Sequence, residues 1–266
     1  MLVLVRGGGD IGSGIAHRLR RADLRVVISE LPQPLVIRRT VAFASAVYEG
    51  RFEVEGLEAR VAVDWADAQA VLAAGMVPVV VDSTGQTVLR WPFDALVDAR
   101  LAKRNLGTSI TDAPLVIGVG PGFVAGRDVQ AVVETMRGHN LGRVILAGSA
   151  EPDTHVPGLV QGYGRERVLW SPSSGAFRGN AAIGQRVEAG QIVAHVAGTA
   201  VPAPIAGVLR GILHDGLVVS QGQKVGDIDP RGQVEYCHTI SDKARAIAGG
   251  VLEALLCLNS HHGEPA

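Results

Sequence analysis

The apolar run Leu2-Val-Leu-Val5 enters Arg6-Gly7-Gly8-Gly9-Asp10-Ile11-Gly12-Ser13-Gly14, and Ile15-Ala-His-Arg-Leu-Arg-Arg21 follows with helical spacing. No other stretch constrains the chain as much. A short run of β-formers suits a buried parallel strand, and Leu24-Arg-Val-Val-Ile-Ser-Glu30 supplies a second strand ending in an acid. Gly7-x-Gly9-x-x-Gly12 between strand and helix, with an acid about twenty residues on, is the dinucleotide-binding fingerprint in its required setting. Glycines let the backbone approach a pyrophosphate, and the helix N-terminus offers N–H groups and a positive dipole end. Glu30 is then the acceptor for a ribose diol and disfavours a 2′-phosphate. A plainer alternative stays open, a glycine turn that only lets helix and strand pack closely. Asp10 inside the loop would repel a crowded pyrophosphate, which leaves it to point away, cap the helix or serve another ligand.

Beyond Leu31-Pro32-Gln33-Pro34 the pattern predicts a helix over residues 35–46. Arg38 and Arg39 at its start are placed either to meet an anion or to stand solvated on a helix face. Residues 51–63 alternate around Glu55-Gly56 as a hairpin, residues 64–74 read as a helix, and residues 77–82 as a buried strand. A helix is predicted over 94–105, with Asp98, Arg100, Lys103 and Arg104 offering charges near the strand ends. A second glycine loop, Gly118-Val-Gly120-Pro121-Gly122-Phe123, follows another apolar run and leads into helical spacing over 128–136. Both loops, Gly120 and Gly122 included, are expected at the carboxyl edge of one parallel sheet, where ligands of open α/β sheets bind. These elements make residues 1–155 a Rossmann-like nucleotide- or cofactor-binding domain.

From about Glu151 the helix–strand alternation stops. Gly184-Gln-Arg-Val187-Glu-Ala-Gly190-Gln191-Ile-Val193 matches Gly216-Leu-Val-Val219-Ser-Gln-Gly222-Gln223-Lys-Val225 at the Gly, Val, Gly, Gln and Val positions. With Val201-Pro-Ala203-Pro204-Ile-Ala-Gly207 between the copies, residues 156–235 resemble the barrel-sandwich hybrid of biotinyl and lipoyl carriers. The stretch where carriers hold their modified lysine is Ala197-Gly-Thr-Ala-Val201 here, without a lysine, and Lys224 falls elsewhere. No biotin or lipoate attachment is expected, and the module reads as a docking or lid element. Residues 234–238 read as a short strand. Residues 236–266 form the terminal segment, with a helix capped by Ser241. Gly249-Gly250 inside it costs about 1 kcal/mol per glycine relative to alanine, which implies close packing against the first domain or against a twin subunit in a homo-oligomer. Cys237-His238 is either a redox or chalcogen-transfer site or a plain buried cysteine.

The expected class is thus α/β: a Rossmann-like parallel sheet with helices on both faces, a C-terminal β barrel-sandwich module and a terminal helix. Composition removes competing classes. Lysine plus arginine total 25 against 26 acids, a net charge of −1, which leaves no footprint for nucleic acid or an anionic membrane. No run approaches the ~20 apolar residues of a membrane span. Two cysteines make neither a disulfide framework nor a zinc site, so no metal is expected. The start is too short for a signal peptide, and a cytoplasmic protein is the expectation.

Taken in order, Arg6-Gly-Gly-Gly-Asp10, Glu30-Leu-Pro-Gln-Pro-Leu35 with Arg38-Arg39, Asp98-Ala-Arg-Leu-Ala-Lys103, Gly120-Pro-Gly-Phe123, Glu134-Thr-Met-Arg-Gly-His139, Asp227-Ile-Asp-Pro-Arg231 and Thr239-Ile-Ser-Asp-Lys-Ala-Arg245 carry a resemblance. The chain resembles the YqeB-type selenium-dependent molybdenum hydroxylase system proteins. The resemblance implies an accessory role beside a molybdenum hydroxylase or its maturation machinery, with a phosphorylated dinucleotide or molybdopterin-type cofactor as ligand. It supplies no catalytic residues. The candidates drawn from the residues themselves are Cys237, Asp10 and Lys103 for chemistry. For the cofactor they are Gly7, Gly8, Gly9, Asp10, Gly12, Glu30, Arg38, Arg39, Gly120 and Gly122. An NAD-dependent oxidoreductase and a noncatalytic scaffold docking through the second module remain the alternatives; no Ser-Tyr-Lys set stands beside the fingerprint for the former.

Overall fold

A computed structural model describes residues 1–86, 88–154 and 156–260. In it the Leu2–Arg6 run is a wholly buried strand, β1, followed by α1 (Asp10–Arg21) and β2 (Arg25–Glu30). The first unit continues with a single turn α2 (Ala46–Glu49), β3 (Arg51–Val54), β4 (Leu57–Ala62), α3 (Trp65–Ala73), β5 (Val77–Val81), β6 (Ala95–Asp98), β7 (Leu115–Val119), β8 (Ala131–Val133) and β9 (Val144–Ile145). The second unit holds β10 (Val168–Trp170), β11 (Gly175–Gly179), β12 (Arg186–Val187), β13 (Ile192–Val196), β14 (Thr199–Pro202), β15 (Gly207–Ile212), β16 (Val218–Val219), β17 (Lys224–Asp229) and the turn α4 (Glu235–His238). The last helix, α5 (Asp242–Ser260), returns to the first unit. By contact, the first unit is Met1–Pro32, Phe43–Thr154 and Ile240–Ala266, and the second is Gln33–Ala42 with His155–Thr239.

The first unit is one nine-stranded sheet in the order β3-β4-β5-β2-β1-β6-β7-β8-β9. Strands from β4 across to β8 pair in parallel, while β3 and β9 close the two edges antiparallel. Side chains alternate across a strand. Leu2 and Leu4 therefore join Val27, Leu96, Val116 and α3 in one apolar layer, and Val3 and Val5 turn to the face that carries α1. Trp65 and Trp91 pack with ring centroids 5.0 Å apart and planes tilted by 46° in the α3 layer. α3 forms where expected because Asp64 caps it, accepting the Asp67 N–H at 2.8 Å. The β3–β4 hairpin also forms as expected, with Glu55 and Gly56 at φ of 46° and 79°, the left-handed pair such a tight turn demands.

α5 packs along α1 and over the β7–β9 end of the sheet. At Gly14 a Cβ would lie 2.8 Å from Ala244 Cβ, so the two helices meet at van der Waals contact. Gly250 has a different neighbour: a Cβ there would overlap the Gly142 carbonyl oxygen, whereas Gly249 faces open space. We therefore expect Gly249→Ala to stabilise the protein by about 1 kcal/mol through helix propensity. Gly250→Ala should destabilise it by about 1–3 kcal/mol through overpacking. Paired urea titrations check both, and two changes of the same sign would disprove this account.

Three predicted helices are absent. Residues 94–105 give β6 and then a loop, because Ala95–Asp98 pairs with β1 on one side and β7 on the other, and Leu101 and Lys103 adopt positive φ of 54° and 63° that no helix tolerates. Residues 128–136 give β8, whose Ala131, Val132 and Val133 are all buried between β7 and β9. Residues 35–46 break into an irregular stretch and two 3-10 turns, Arg39–Val41 and Phe43–Ser45. Residues 234–238 were expected as a strand and form the helical turn α4.

The second unit consists of two four-stranded antiparallel sheets, β10-β17-β15-β12 and β14-β13-β11-β16, sharing a core of Leu169, Phe177, Val193, Leu209, Val225 and Ile228. The repeat read in the sequence is a repeat of conformation. Gly190 and Gly222 donate to Ala203 and Ser171 at 2.8 Å each, and Gln191 and Gln223 donate their N–H to Glu188 and Ser220 at 3.1 Å each. Both glutamine side chains return the bond, accepting from the Glu188 and Ser220 N–H at 3.1 and 3.0 Å.

The expected fold class is corrected on these grounds. The large sheet is mixed, not parallel, and no α-helix among the described residues bridges β5–β6, β6–β7 or β7–β8, so it is not the doubly wound Rossmann-like sheet. The second half is not a self-contained carrier module. Gln33–Ala42 folds into it, with Ile37 against its core and the Ile37 carbonyl accepting from Ile212 at 2.9 Å.

Candidate functional site

In the first unit the carboxyl ends of the parallel strands carry the chemistry-bearing residues to one edge. Gly7, at φ +94°, leaves β1 with its N–H on Ser29 O at 2.9 Å, and a Cβ there would press on the Arg100 backbone at 3.1 Å. The Gly8 N–H donates to Glu30 at 2.7 Å, and its carbonyl accepts from Ala44 N and Ser13 Oγ at 2.9 Å each. Gly9 accepts the first helical N–H, that of Ser13, at 2.8 Å. At Gly12 a Cβ would overlap the Gly7 carbonyl oxygen. What these glycines visibly provide is close approach of strand, helix and the Phe43–Ser45 turn, the plainer of the two roles open from the sequence.

Glu30 serves the same loop. Its two oxygens accept from Gly8 and Leu31 at 2.7 Å each, and burial raises its pKa against those two bonds. Its first role is thus to brace the turn rather than to await a ribose.

Beneath the loop lies a buried charge network. Arg6, 2% exposed, donates to Thr108 Oγ1 and Gly85 O at 2.8 Å each and pairs with Asp112 at 3.7 Å. Asp98 accepts from Arg100 through Nε at 3.0 Å and Nη2 at 2.5 Å, and from Thr108 Oγ1 at 2.6 Å. Burial alone would raise the Asp98 carboxyl, but the hydrogen bonds and charge of Arg100, with Thr108, hold it below the usual carboxylate range. Burial and the neighbouring Arg100 lower the pKa of Arg6, opposed by Asp98, Asp112 and Asp82.

The second glycine loop braces the segment after β6. Gly122, at φ +111°, lies so close that a Cβ would sit 2.6 Å from Arg104 Cα, and one on Gly120 would sit 2.8 Å from Thr135 Oγ1. Gly122 thereby packs against the loop that presents Lys103, whereas Gly120 packs against Thr135 after β8. Lys103 pairs with Asp153 at 3.9 Å, and Arg137 pairs with Asp242 through two bonds of 2.7 and 3.0 Å. Lys243, on the first turn of α5, feels both cations. Burial and then the charges of Lys103 and Arg137 lower the Lys243 ammonium, with Asp10 and Asp153 opposing. Asp10, which opens α1, and Lys103 therefore both act electrostatically on one ammonium. The sequence reading missed Lys243 as a site residue. More than 130 residues separate it from either partner, and no spacing rule joins such positions.

Three candidates are corrected. Arg38 and Arg39 fold with the second unit and spend donors on main-chain carbonyls: Arg38 on Tyr236 and Thr239 at 3.0 and 3.1 Å, Arg39 on Ile212 at 2.8 Å. Arg39 also lines a cleft of about 380 Å³ with Asn180, His214 and Asp215. Cys237 is fully buried, its Sγ 3.8 Å from Leu209 O, and burial pushes its thiol up despite Arg210 and Arg38. It is no poised thiolate. With iodoacetamide the native protein should label at exposed Cys257 and spare Cys237, as peptide mass mapping would report; rapid labelling of Cys237 would restore the transfer reading.

No helix among the described residues is long and apolar enough to cross a membrane. No family model matches the chain. Among solved structures it aligns with an aspartoacylase family protein from Mesorhizobium loti, at 12% identity and a TM-score of 0.30 over 85% of this chain and 84% of that one. A succinylglutamate desuccinylase from Silicibacter aligns at 14% identity and a TM-score of 0.26, again over 85% and 84%. Such slight likenesses carry no argument about this chain's fold or chemistry. A curated relative, the uncharacterized protein YqeB of Escherichia coli K12, is 47% identical over 265 residues, which is 100% of this chain and 49% of that protein. The chain thus spans about half the length of the YqeB protein it matches, and on identity sustained from end to end it belongs to the YqeB family.

Proposed function

We propose that the chain is an accessory factor for a selenium-dependent molybdenum hydroxylase and binds a phosphorylated, molybdopterin-type cofactor at the glycine-loop edge of its first unit. The observation that carries the ligand side of this reading is the gathering of Lys103, Lys243 and Arg137 at the start of α1. Two cations, Lys103 and Arg137, act on the half-buried Lys243 ammonium, and a phosphate among the three relieves that repulsion. A helix N-terminus adds N–H donors and a favourable dipole. Asp10 and Asp153 temper the positive charge and tune it to an anion that must also leave. The molybdenum hydroxylase, or its maturation machinery, is the partner that the family resemblance implies. In this reading the protein positions and hands over a ligand; none of its side chains is assigned a covalent step.

The test is calorimetric titration with NAD, NADP, ADP, molybdopterin and molybdopterin cytosine dinucleotide, on the wild type and on Lys243→Ala. Selective pterin binding, weakened at least about tenfold in the variant, a loss of about 1.4 kcal/mol, is the expected result. Binding of NAD alone moves the protein to the oxidoreductases. Silence from all five ligands favours a noncatalytic scaffold.

A further inference from the structure

A different cluster lies in the second unit and is independent of the reading above. Arg210 sits on β15 at the bulge between Leu209 and Gly211. Leu209 and Ile212 enter the core with Val225 and Ile228, so Arg210 shares the opposite face of its sheet with Asp227 and Asp229 of β17. Its side chain is 12% exposed, and its ion pair with Asp229 spans 3.6 Å. Asp229 is already engaged by Arg231, which donates through its main-chain N and Nε to one oxygen at 3.0 and 2.9 Å and through Nη2 to the other at 2.7 Å. Asp227 is matched by Arg167 and by Lys224, the latter at 3.5 Å. Among the described residues the Arg210 side chain makes no hydrogen bond, and its buried Nε has no partner.

A guanidinium carries five N–H donors in a fixed fork. Burying that charge with the donors unmet costs free energy that a charge-assisted acceptor restores. Arg38 makes the deficit larger. It approaches from the 3-10 turn that α4 packs upon, and burial followed by its like charge lowers the pKa of Arg210. A buried guanidinium whose nearest carboxylate lies at 3.6 Å, whose Nε has no partner and on which a second like charge acts describes a place prepared for negative charge.

We propose that Arg210, with Arg38 and Arg231 beside it, binds a small oxyanion, a phosphate monoester or a carboxylate, which supplies the acceptor oxygens Arg210 lacks. The planar fork fits two oxygens of either group side by side. Entry is from the side of Arg231 and Tyr236, which stack at 4.5 Å and are 35% and 38% exposed. Asp229, neutralised by Arg231, bounds the site and orients the anion toward Arg210.

The experiment uses the full chain, with inorganic phosphate and acetate as probes against chloride at equal ionic strength. It is run on the wild type and in a Lys243→Ala background, so that binding at the first unit does not count. At ten times its Kd the preferred anion should raise Tm by about 3–5 °C, and which probe does so separates phosphate from carboxylate. Arg210→Met should abolish the shift, Arg210→Lys should weaken binding at least tenfold by removing the fork, and exposed Arg51→Ala should leave it intact. Equal shifts in wild type and Arg210→Met, or no response beyond chloride, overturn the proposal. If Arg210→Met does not fold, hydrogen exchange of the wild-type segment 205–214 decides: protection there by one anion supports the site, and unchanged exchange refutes it. Because the response survives Lys243→Ala, failure here and failure of the cofactor reading are separate outcomes.

Discussion

Gly12→Ala is expected to cost at least about 3 kcal/mol and to leave little folded protein at physiological temperature. The reason is local and steric. Gly12 lies on the first turn of α1, and a single added methyl would occupy the space of the Gly7 carbonyl oxygen. Relief requires α1 to move away from β1, but α1 is held on its other side by α5 at Gly14 and Ala244, so the strain has no soft outlet. Alanine is the better helix former, so a propensity argument alone predicts a gain of about 1 kcal/mol. Equilibrium unfolding in urea thus separates the two accounts by sign. A neutral or stabilised Gly12→Ala would mean that the loop is open enough for a ligand to share it, and would return the fingerprint to its ligand-cradling role.

The second large effect is expected at Asp98. Asp98→Ala removes the carboxylate that accepts both arms of Arg100 and the Thr108 hydroxyl, and it leaves Arg100 without its carboxylate and Arg6 with Asp112, at 3.7 Å, as its ion-pair partner. Stranding a buried charge in this way costs about 3–5 kcal/mol. The network also has a signature in pH. Because the Asp98 carboxyl is held below its ordinary value of 3.8 in the folded protein, the unfolded chain binds the proton first as pH falls. The associated stability is present above that ordinary value and is lost as pH drops through the folded-state value. Asp98→Asn keeps the shape and should flatten this acid limb of the stability curve. A variant that unfolds in acid as the wild type does would show that other carboxylates dominate.

The legibility of the fold differed from element to element for physical reasons. Residues 51–63 and 64–74 formed as read because their signals are local: a Glu-Gly turn between alternating residues, and an aspartate cap before a helix. Residues 94–105 and 128–136 failed for one shared reason. Each carries helix-compatible spacing, but the strand hydrogen bonds that claimed Ala95–Asp98 and Ala131–Val133 come from partners far along the chain, and such pairing overrides a weak local preference. The parallel sheet with carrier-like module failed at the level of assembly. Edge strands β3 and β9 turn antiparallel, and a ten-residue stretch from early in the chain folds into the second unit.

For the candidate site, the sequence by itself determined which backbone positions had to be glycine and that Glu30 would stand at the end of β2. It also determined that Asp10 would open α1, since each follows from a strand, a turn and a helix in immediate succession. It located a conformational repeat between residues 184 and 225 for the same reason, that the glutamine of each Gly-Gln corner bonds a residue three positions before it, through main chain and side chain alike. Only the tertiary structure decided what those residues touch. It spent Glu30 on the loop's own N–H groups, buried Cys237, and moved Arg38 and Arg39 into the second unit. It also set Lys243 within the electrostatic reach of Lys103 and Arg137, and left the buried Nε of Arg210 without a hydrogen-bond partner. Contacts of that kind depend on which distant segments the apolar layers pull together, and burial is set by the whole chain rather than by any window of it.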